Sequence, residues 1–526
     1  MDEGLPSSLV IASRPSTRRP RRETAAPPPR LTILGGGPAG LGVAFYAAER
    51  GLPFALFERA PQVGGLCRTY QCGEHRYDSG AHRFHDRDRD VTADVRRLMG
   101  DELMRVSSPS QIYDRGRFID FPPTPLNWIR SRGLGDAARI GAEILKARWR
   151  PKPERSFEDL ATNRYGRRLG EPLLISYTEK LWGLPAGALA PEVATRRLAG
   201  LGLRSLLVEL LLPRRRRGHL DGSFLYPRRG YGALAAGLAA RLPEGAVATA
   251  HEVAGFECEG GAIRAIRFAG RPSVAVRGRV ISTLPLTALV RCFGDALPAA
   301  ARRAAARLRF RHIRLVFLRL GIPRHSRNAT IYLPDPRLAV SRLSEPKNRS
   351  SAMAPAGETG LVVEVPCSTG DDLYELDGDL LAARVVAELS GIGLLEPRTV
   401  LASETRMLLN AYPVYSLDYA EHVGAIREAL AAIENLDVLG RGGLFWYSHL
   451  HDQLRGAKDY VGSLEAPAST LPAGVAGAAG VADGAGVAGF AGVEDGAGVA
   501  DGVGVARFAS AASSIAPHIR RSAAKL

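Results

Sequence analysis

The 526-residue sequence predicts an α/β protein whose nucleotide-binding fold opens at the front, is interrupted by a helical insert, and resumes later. Three observations carry this. Residues 31–58, LTILGGGPAGLGVAFYAAERGLPFALFE, pass from an apolar strand through a glycine turn into a helix and a second strand. Helical periodicity dominates residues 90–217. Strand patterns then return at 246–253, 262–269, 279–283, 314–320, 361–365 and 437–439, with an amphipathic helix at 421–433.

Each piece of the opening unit has a physical duty. Leu31–Leu34 forms the strand, Gly35 permits the tight turn that follows, and Gly37 lets bare main chain approach a pyrophosphate. Gly40 lets helix and strand pack closely. Pro38 and Ala39 begin the helix, which runs to Arg50 and whose unpaired N–H groups and partial positive charge suit phosphate. The second strand, Pro53–Phe57, ends on Glu58, 21 residues after Gly37, where a carboxylate accepts hydrogen bonds from a ribose. Strand, turn, helix, strand and acid in this order define a Rossmann-type, doubly wound dinucleotide-binding domain.

Around this unit the chain divides by composition. Residues 1–30 are Pro/Arg-rich without hydrophobic periodicity and read as a disordered tail; after Arg18–Arg22 comes TAAPPPR, which is no apolar leader. Residues 465–526 are Gly/Ala-rich and low in complexity, built on an imperfect 12-residue repeat at 481–504. The nucleotide domain is expected from 31–90, 218–300 and 401–464, and a helical and mixed-sheet substrate domain from 91–217 and 301–400.

Net charge is +16, and its placement matters more than its size. The front tail carries six arginines against three acids and residues 466–526 are balanced, so the excess sits in the folded middle. That field suits anionic partners: a dinucleotide, a phosphorylated small molecule or an acidic membrane surface. No finger, RNA-binding or basic-zipper pattern supports nucleic acid. The run SLLVELLL before Pro213 and Arg214–Arg217 offers peripheral contact with an anionic membrane, against the plainer reading of a solvated loop. It is far shorter than the roughly 20 residues of a membrane span. Cys67, Cys72, Cys258, Cys292 and Cys367 lack zinc-site spacing and read as free thiols, so a cytoplasmic chain, at most peripheral to the inner membrane face, is expected.

Directly after Glu58 and Arg59, Gly64-Gly65 with Leu66 and Arg68 suits a second close approach of main chain to a phosphate. Glycine motif, terminal Glu and glycine pair together resemble the flavin-binding start of the amine oxidase, protoporphyrinogen oxidase and phytoene desaturase group. That resemblance implies FAD, in a glutathione reductase-like domain, in place of NAD. Further segments are similar to UDP-galactopyranose mutase-like flavoproteins, in order through residues 31–464. YDSGAHRFHD (Tyr77–Asp86) resembles the segment that passes the isoalloxazine ring in that family. SYTEKLWGLP (Ser176–Pro185) and FLYPRRGYG (Phe224–Gly232) resemble its substrate-domain helix and the step back to the flavin domain. SRLSEPKN (Ser341–Asn348) resembles the segment whose arginine sits by flavin and sugar diphosphate. AYPVY (Ala411–Tyr415) and LGRGGLFWYSHLHD (Leu439–Asp452) resemble the closing segment, where a Gly-Arg pair, here Gly440 and Arg441, nears the cofactor.

The chemistry expected of these residues follows from their types. His82 and His85 are the proton-handling groups available near neutral pH, with a structural hydrogen bond as the alternative for His82. Arg342 either stabilises negative charge on a reduced flavin or grips a phosphate, unless it merely pairs with Glu345. Thr283 ends a strand at the cofactor and Val253 sits on the adenine side; Tyr177 and Trp182 wall the substrate cleft or fill core. Where the mutases carry Asn-Met-Asp, this chain has His449-Leu450-His451, with an acid only at Asp452. The departure weakens the sugar-diphosphate reading and leaves flavin binding intact. The expected activity is hydride removal from a small apolar or amine-bearing molecule, with flavin-dependent sugar-nucleotide isomerisation second and a non-catalytic flavin-binding membrane protein third.

Overall fold

A computed structural model of the chain describes residues 31–114, 116–121, 129, 133–149, 151–197 and 223–464. The two tails, the 205–213 run and Arg214–Arg217 lie outside the described residues.

Five parallel strands form the first sheet, in the order Leu436–Val438, Arg279–Ser282, Leu31–Leu34, Phe54–Phe57 and Val247–Ala248. Leu31–Leu34 is central and buried along its whole length, as a strand covered on both faces must be. The helix Pro38–Glu49 packs on this sheet and against the helix Leu450–Ser463. Its Gly42 allows the approach, since a Cβ there would lie 3.0 Å from the Ala457 Cβ. The core between them contains Ile33, Leu41, Phe45, Leu56, Leu454 and Val461. Beneath it, buried Asp437 accepts from Arg279 Nε at 2.5 Å and from the Tyr460 hydroxyl at 2.7 Å, tying adjacent strands to the closing helix.

The expected strand at 246–253 is two strands. Val247–Ala248 edges the parallel sheet, Ala250 turns the chain with a φ of 54°, and Val253–Glu259 begins a separate antiparallel sheet with Ala262–Phe268 and Arg271–Ala275.

A seven-stranded mixed sheet makes the second layer: Val400–Pro413, Phe310–Leu320, Thr359–Cys367, Arg342–Ser344, Thr330–Tyr332, Ser110–Asp114 and Arg117–Phe121. Two sequence expectations change here. Residues 90–217 contain the 103–107, 110–114 and 117–121 strands among their helices. Residues 400–413 pair along Phe310–Leu320, so this stretch belongs to the mixed sheet and not to the nucleotide domain assigned from 401 onward. The helices Phe157–Gly170 and Ser176–Trp182, joined by a wide helical turn, cover the mixed sheet as a buried pair. Among the described residues no helix is long and apolar enough to cross a membrane.

Candidate active site

One cavity of about 940 Å³ runs between the two sheets, near the upper end of the roughly 300–1,000 Å³ usual for small-molecule sites. Its first part is the glycine turn. Gly35 has a φ of +100°, and a side chain there would strike the Thr283 hydroxyl, which donates to the Leu34 carbonyl at 2.9 Å. A Cβ on Gly40 would overlap the Gly35 carbonyl oxygen. Gly37 differs: its φ of −77° suits any residue, and nothing closer than the Gly65 Cα at 3.9 Å would meet a Cβ. Within the protein, then, nothing demands glycine at 37. Only a group lying in the cavity would.

Gly65, with a φ of +52°, faces this turn, and its Cβ would come 2.9 Å from the Gly37 Cα. Gly64 donates to the Gly36 carbonyl at 2.7 Å, which locks the two glycine turns together. The Arg68 guanidinium reaches the cavity wall while donating to the Gln62 carbonyl at 2.6 Å. Glu58 closes this end. Its carboxylate accepts from the Gly36 amide at 2.7 Å and the Ala60 amide at 2.9 Å, which fixes it facing the cavity beside Arg59 and Val253.

The opposite end is built from the loop after Tyr77. Asp78 is buried and accepts from Thr69, the Tyr226 hydroxyl at 2.5 Å and the Tyr231 amide at 2.8 Å. On this base His82 stacks over Tyr231, with centroids 4.9 Å apart, and its Nε2 lies 3.0 Å from the Ser79 hydroxyl. Burial first, then the Arg342, Arg349 and Arg441 charges, push the His82 pKa down to about 3. His85, beside His449 at 5.7 Å, is lowered to about 3 by burial and by that neighbour. Both rings are therefore neutral at physiological pH. Beside these cations each neutral ring is a weak base, with one donor and one acceptor nitrogen to offer the cavity.

Arg342 pairs with Glu364, directly opposite across the strand ladder, at 2.7 Å, and donates to the Tyr412 hydroxyl at 3.2 Å. Glu345 is not its partner; that carboxylate holds the His325 and Ser326 amides. Arg441 donates to the Ala411 carbonyl at 2.6 Å and lies over the Tyr412 and Tyr447 rings at 4.9 and 4.5 Å. Among the described residues its Nε has no hydrogen-bond partner, and neither has Nδ1 of His85.

Most of the residues singled out from sequence thus converge on this cavity. Gly35, Gly37, Pro38, Ala39 and Thr283 line its middle, with Glu58, Arg59, Gly65, Arg68 and Val253 at one end, while Leu66 accepts from Ser79 beside His82. His82, His85, Arg342 and Arg441 line the other. Gly40, Gly64 and Gly440 are not in its wall; they make close backbone contacts behind it, and Gly440 takes a φ of +83° against Ala39 and Thr283. Trp182 is core, its indole donating to the Pro413 carbonyl at 3.2 Å, whereas Tyr177 reaches the wall. Asp452 does not restore the missing acid: it accepts from the His449 amide at 2.7 Å and caps the closing helix. Tyr332, Tyr412 and Tyr447 went unassigned in the sequence, although the last two fall inside segments it flagged. Arg83 also went unassigned, and alternation with the fully buried Phe84 was the available signal.

A glycine cradle empty of protein atoms, a carboxylate facing the cavity and, among the described residues, unpartnered nitrogens at the far end fit an extended flavin dinucleotide. The fold and this cavity define a two-layer flavoenzyme. Residues 38–446 match the model of the family described as flavin containing amine oxidoreductase, and the chain belongs to that family. Its cofactor is FAD, and it is an oxidoreductase. A reduced UDP-galactopyranose mutase superposes with a TM-score of 0.72 at 19% identity, over 83% of this chain and 95% of that one. The putative protoporphyrinogen oxidase of Exiguobacterium sp. 255-15 gives 0.65 at 19% identity, over 83% and 99%. A redesigned putrescine oxidase gives 0.60 at 16% identity, over 83% and 98%. At these identities the likeness is one of fold. Ferredoxin–NADP reductase 2 of Shouchella clausii is 46% identical over 48 residues, spanning 9% of this chain and 14% of that protein's length.

Proposed function

We propose that this flavoenzyme removes a hydride from a carbon of a small organic molecule held between the two sheets. FAD supplies the two-electron acceptor, passing the pair on to dioxygen or a quinone. The observation that carries the reading is the fixed positive charge at the inner end of the cavity. Arg342 and Arg441 stand there beside a neutral His82, and such charge favours the extra negative charge of a stored electron pair. Held by Glu364 and by stacked tyrosines, the two guanidinium groups need no rearrangement when that charge arrives. His82, tied to Ser79, orients a hydrogen bond and leaves the proton balance to solvent or substrate. The residues singled out from sequence that line the cavity are proposed to hold the cofactor, with the glycine turn and Glu58 at its nucleotide end.

Flavin-dependent isomerisation of a nucleotide sugar is the second reading, favoured by Tyr177 and Arg342 lining one end of the cavity. The helix-capping position of Asp452 counts against it. Anaerobic addition of candidate substrates to the yellow protein tests the two. Bleaching of the flavin's visible absorption by one substrate, reversed by air or a quinone, is the expected result. Interconversion of UDP-galactose ring forms by the reduced protein, with no net electron consumption and no substrate that bleaches it, would replace the first reading with the second.

A further inference from the structure

We propose that Arg83 and Arg342 form an anion-recognising subsite, so that the substrate carries a carboxylate or phosphate next to an apolar body. The inference rests on the reading of the inner cavity end as the substrate pocket.

Arg83 is aimed by its neighbours. Phe84 is fully buried in the core, so in this extended loop the preceding side chain faces the cavity. The backbone is clamped there: Phe84 and Leu225 exchange amide hydrogen bonds of 3.1 and 2.9 Å, and the Tyr231 hydroxyl donates to the Arg83 carbonyl at 3.3 Å. The guanidinium itself lies 5.0 Å over the Phe224 ring and donates to the Ser110 hydroxyl at 2.6 Å. Neither neighbour is charged, and among the described residues no carboxylate forms an ion pair with Arg83.

Nearby charge makes this worse. Arg349 is buried, donates to the Ala329 carbonyl at 3.1 Å and leaves two guanidinium nitrogens unpartnered. Burial works against the Arg83 cation, Tyr332 offsets part of this, and the Arg349 and Arg342 charges add to it. Glu364 is the carboxylate paired with this group, and it is committed to Arg342 and to the Ala81 amide at 3.1 Å. Acids in the cavity wall, Glu58 and Glu252, stand at the nucleotide end. A half-buried cation facing a cavity without a counter-ion is unfavourable, and an incoming anion lowers that cost. An ammonium group brought to the same place would meet an excess of positive charge, the one carboxylate there being already paired with Arg342. Between the two arginines the wall is Ile112, Phe121, Leu174 and Tyr332, which suits an apolar or aromatic body.

The test titrates the FAD-loaded protein with octanoate, octyl phosphate and octylamine, reading perturbation of the flavin spectrum. Both anions should give saturable perturbation and octylamine none, and the tighter anion tells a carboxylate site from a phosphate site. Arg83→Gln should weaken the anions about tenfold or more, the loss expected for one charge-assisted hydrogen bond, at unchanged flavin content. Arg83→Lys should recover part of it. Octylamine binding as tightly as octanoate, or wild-type affinity in Arg83→Gln, overturns the proposal. If Arg83→Gln does not fold, the wild-type preference among the three probes decides alone. Binding needs no turnover, so failure of these titrations with substrate bleaching intact condemns the subsite, whereas failed bleaching with anion binding intact condemns the hydride-transfer reading.

Discussion

Substituting Gly37 separates a ligand-driven glycine from a fold-driven one. Its φ of −77° is open to any L residue, and a Cβ would have 3.9 Å of clearance from the nearest protein atom. Gly37→Val should therefore fold, losing no more than about 1 kcal/mol through its helix-cap position. On the proposed placement of the dinucleotide, the valine methyl groups would stand where its phosphates meet main-chain N–H groups. Displacing one or two charge-assisted hydrogen bonds of about 1.5–3 kcal/mol each weakens FAD by roughly 10- to 10⁴-fold. The assay is the ratio of flavin to protein absorbance after purification, with calorimetric titration of FAD and a thermal melt of the stripped protein. Wild-type stability with colourless protein is the expected pair. The contrasting control is Gly40→Ala, whose Cβ overlaps the Gly35 carbonyl and which should destabilise the fold with or without FAD. Fully yellow, tightly loaded Gly37→Val protein would refute the assignment of this turn to the cofactor.

Other outcomes follow from the same geometry. Asp437→Asn strips a buried charge from Arg279 and Tyr460 and should lose about 3 kcal/mol in urea unfolding; a change within experimental error would show that the pair is dispensable. The His82 and His85 pKa values of about 3, and that of His449 at about 4, lie below the unfolded value near 6.5. The unfolded chain then binds more protons, so stability should fall as pH drops below about 6.5, each ring contributing up to about 1.4 kcal/mol per pH unit; His85→Asn should flatten the melting temperature between pH 7 and 5. Asp88 acts in the same direction in a more acidic window: burial raises its pKa, but Arg455, at 2.6 Å through two nitrogens, and the Val91 amide lower it overall. Its contribution is present above the ordinary carboxylate range and vanishes as pH falls through the depressed value, so Asp88→Asn should reduce stability at pH 6 far more than at pH 3.

The opening unit was legible because strand, glycine turn, helix, strand and acid follow one another within 28 residues, with Gly40 packed on the Gly35 carbonyl and Glu58 bonded to the Gly36 amide. Distant segments that complete the cavity, at 224–232, 341–348 and 439–452, were legible only through resemblance, since nothing in their periodicity points inward. Strand Val400–Pro413 was hidden because VLASETRMLLN is rich in helix formers and its outer half is exposed; pairing with Phe310–Leu320 overrides the local preference. The histidines were found by position, but their protonation depends on burial and on arginines up to 360 positions away, which no local pattern reports. The alternative weighed for Arg342, a pair with Glu345, looked to the acid near in sequence, whereas the acid near in space is Glu364.

The helix Leu450–Ser463 lies against Pro38–Glu49, so the apolar flank of one of the earliest segments is covered by one of the last. During synthesis that flank must wait, with some four hundred residues still to emerge from the ribosome, before its cover arrives. A nascent chain stalled before residue 450 would expose Leu41 and Phe45 to chaperones, and the yellow colour should develop only after release.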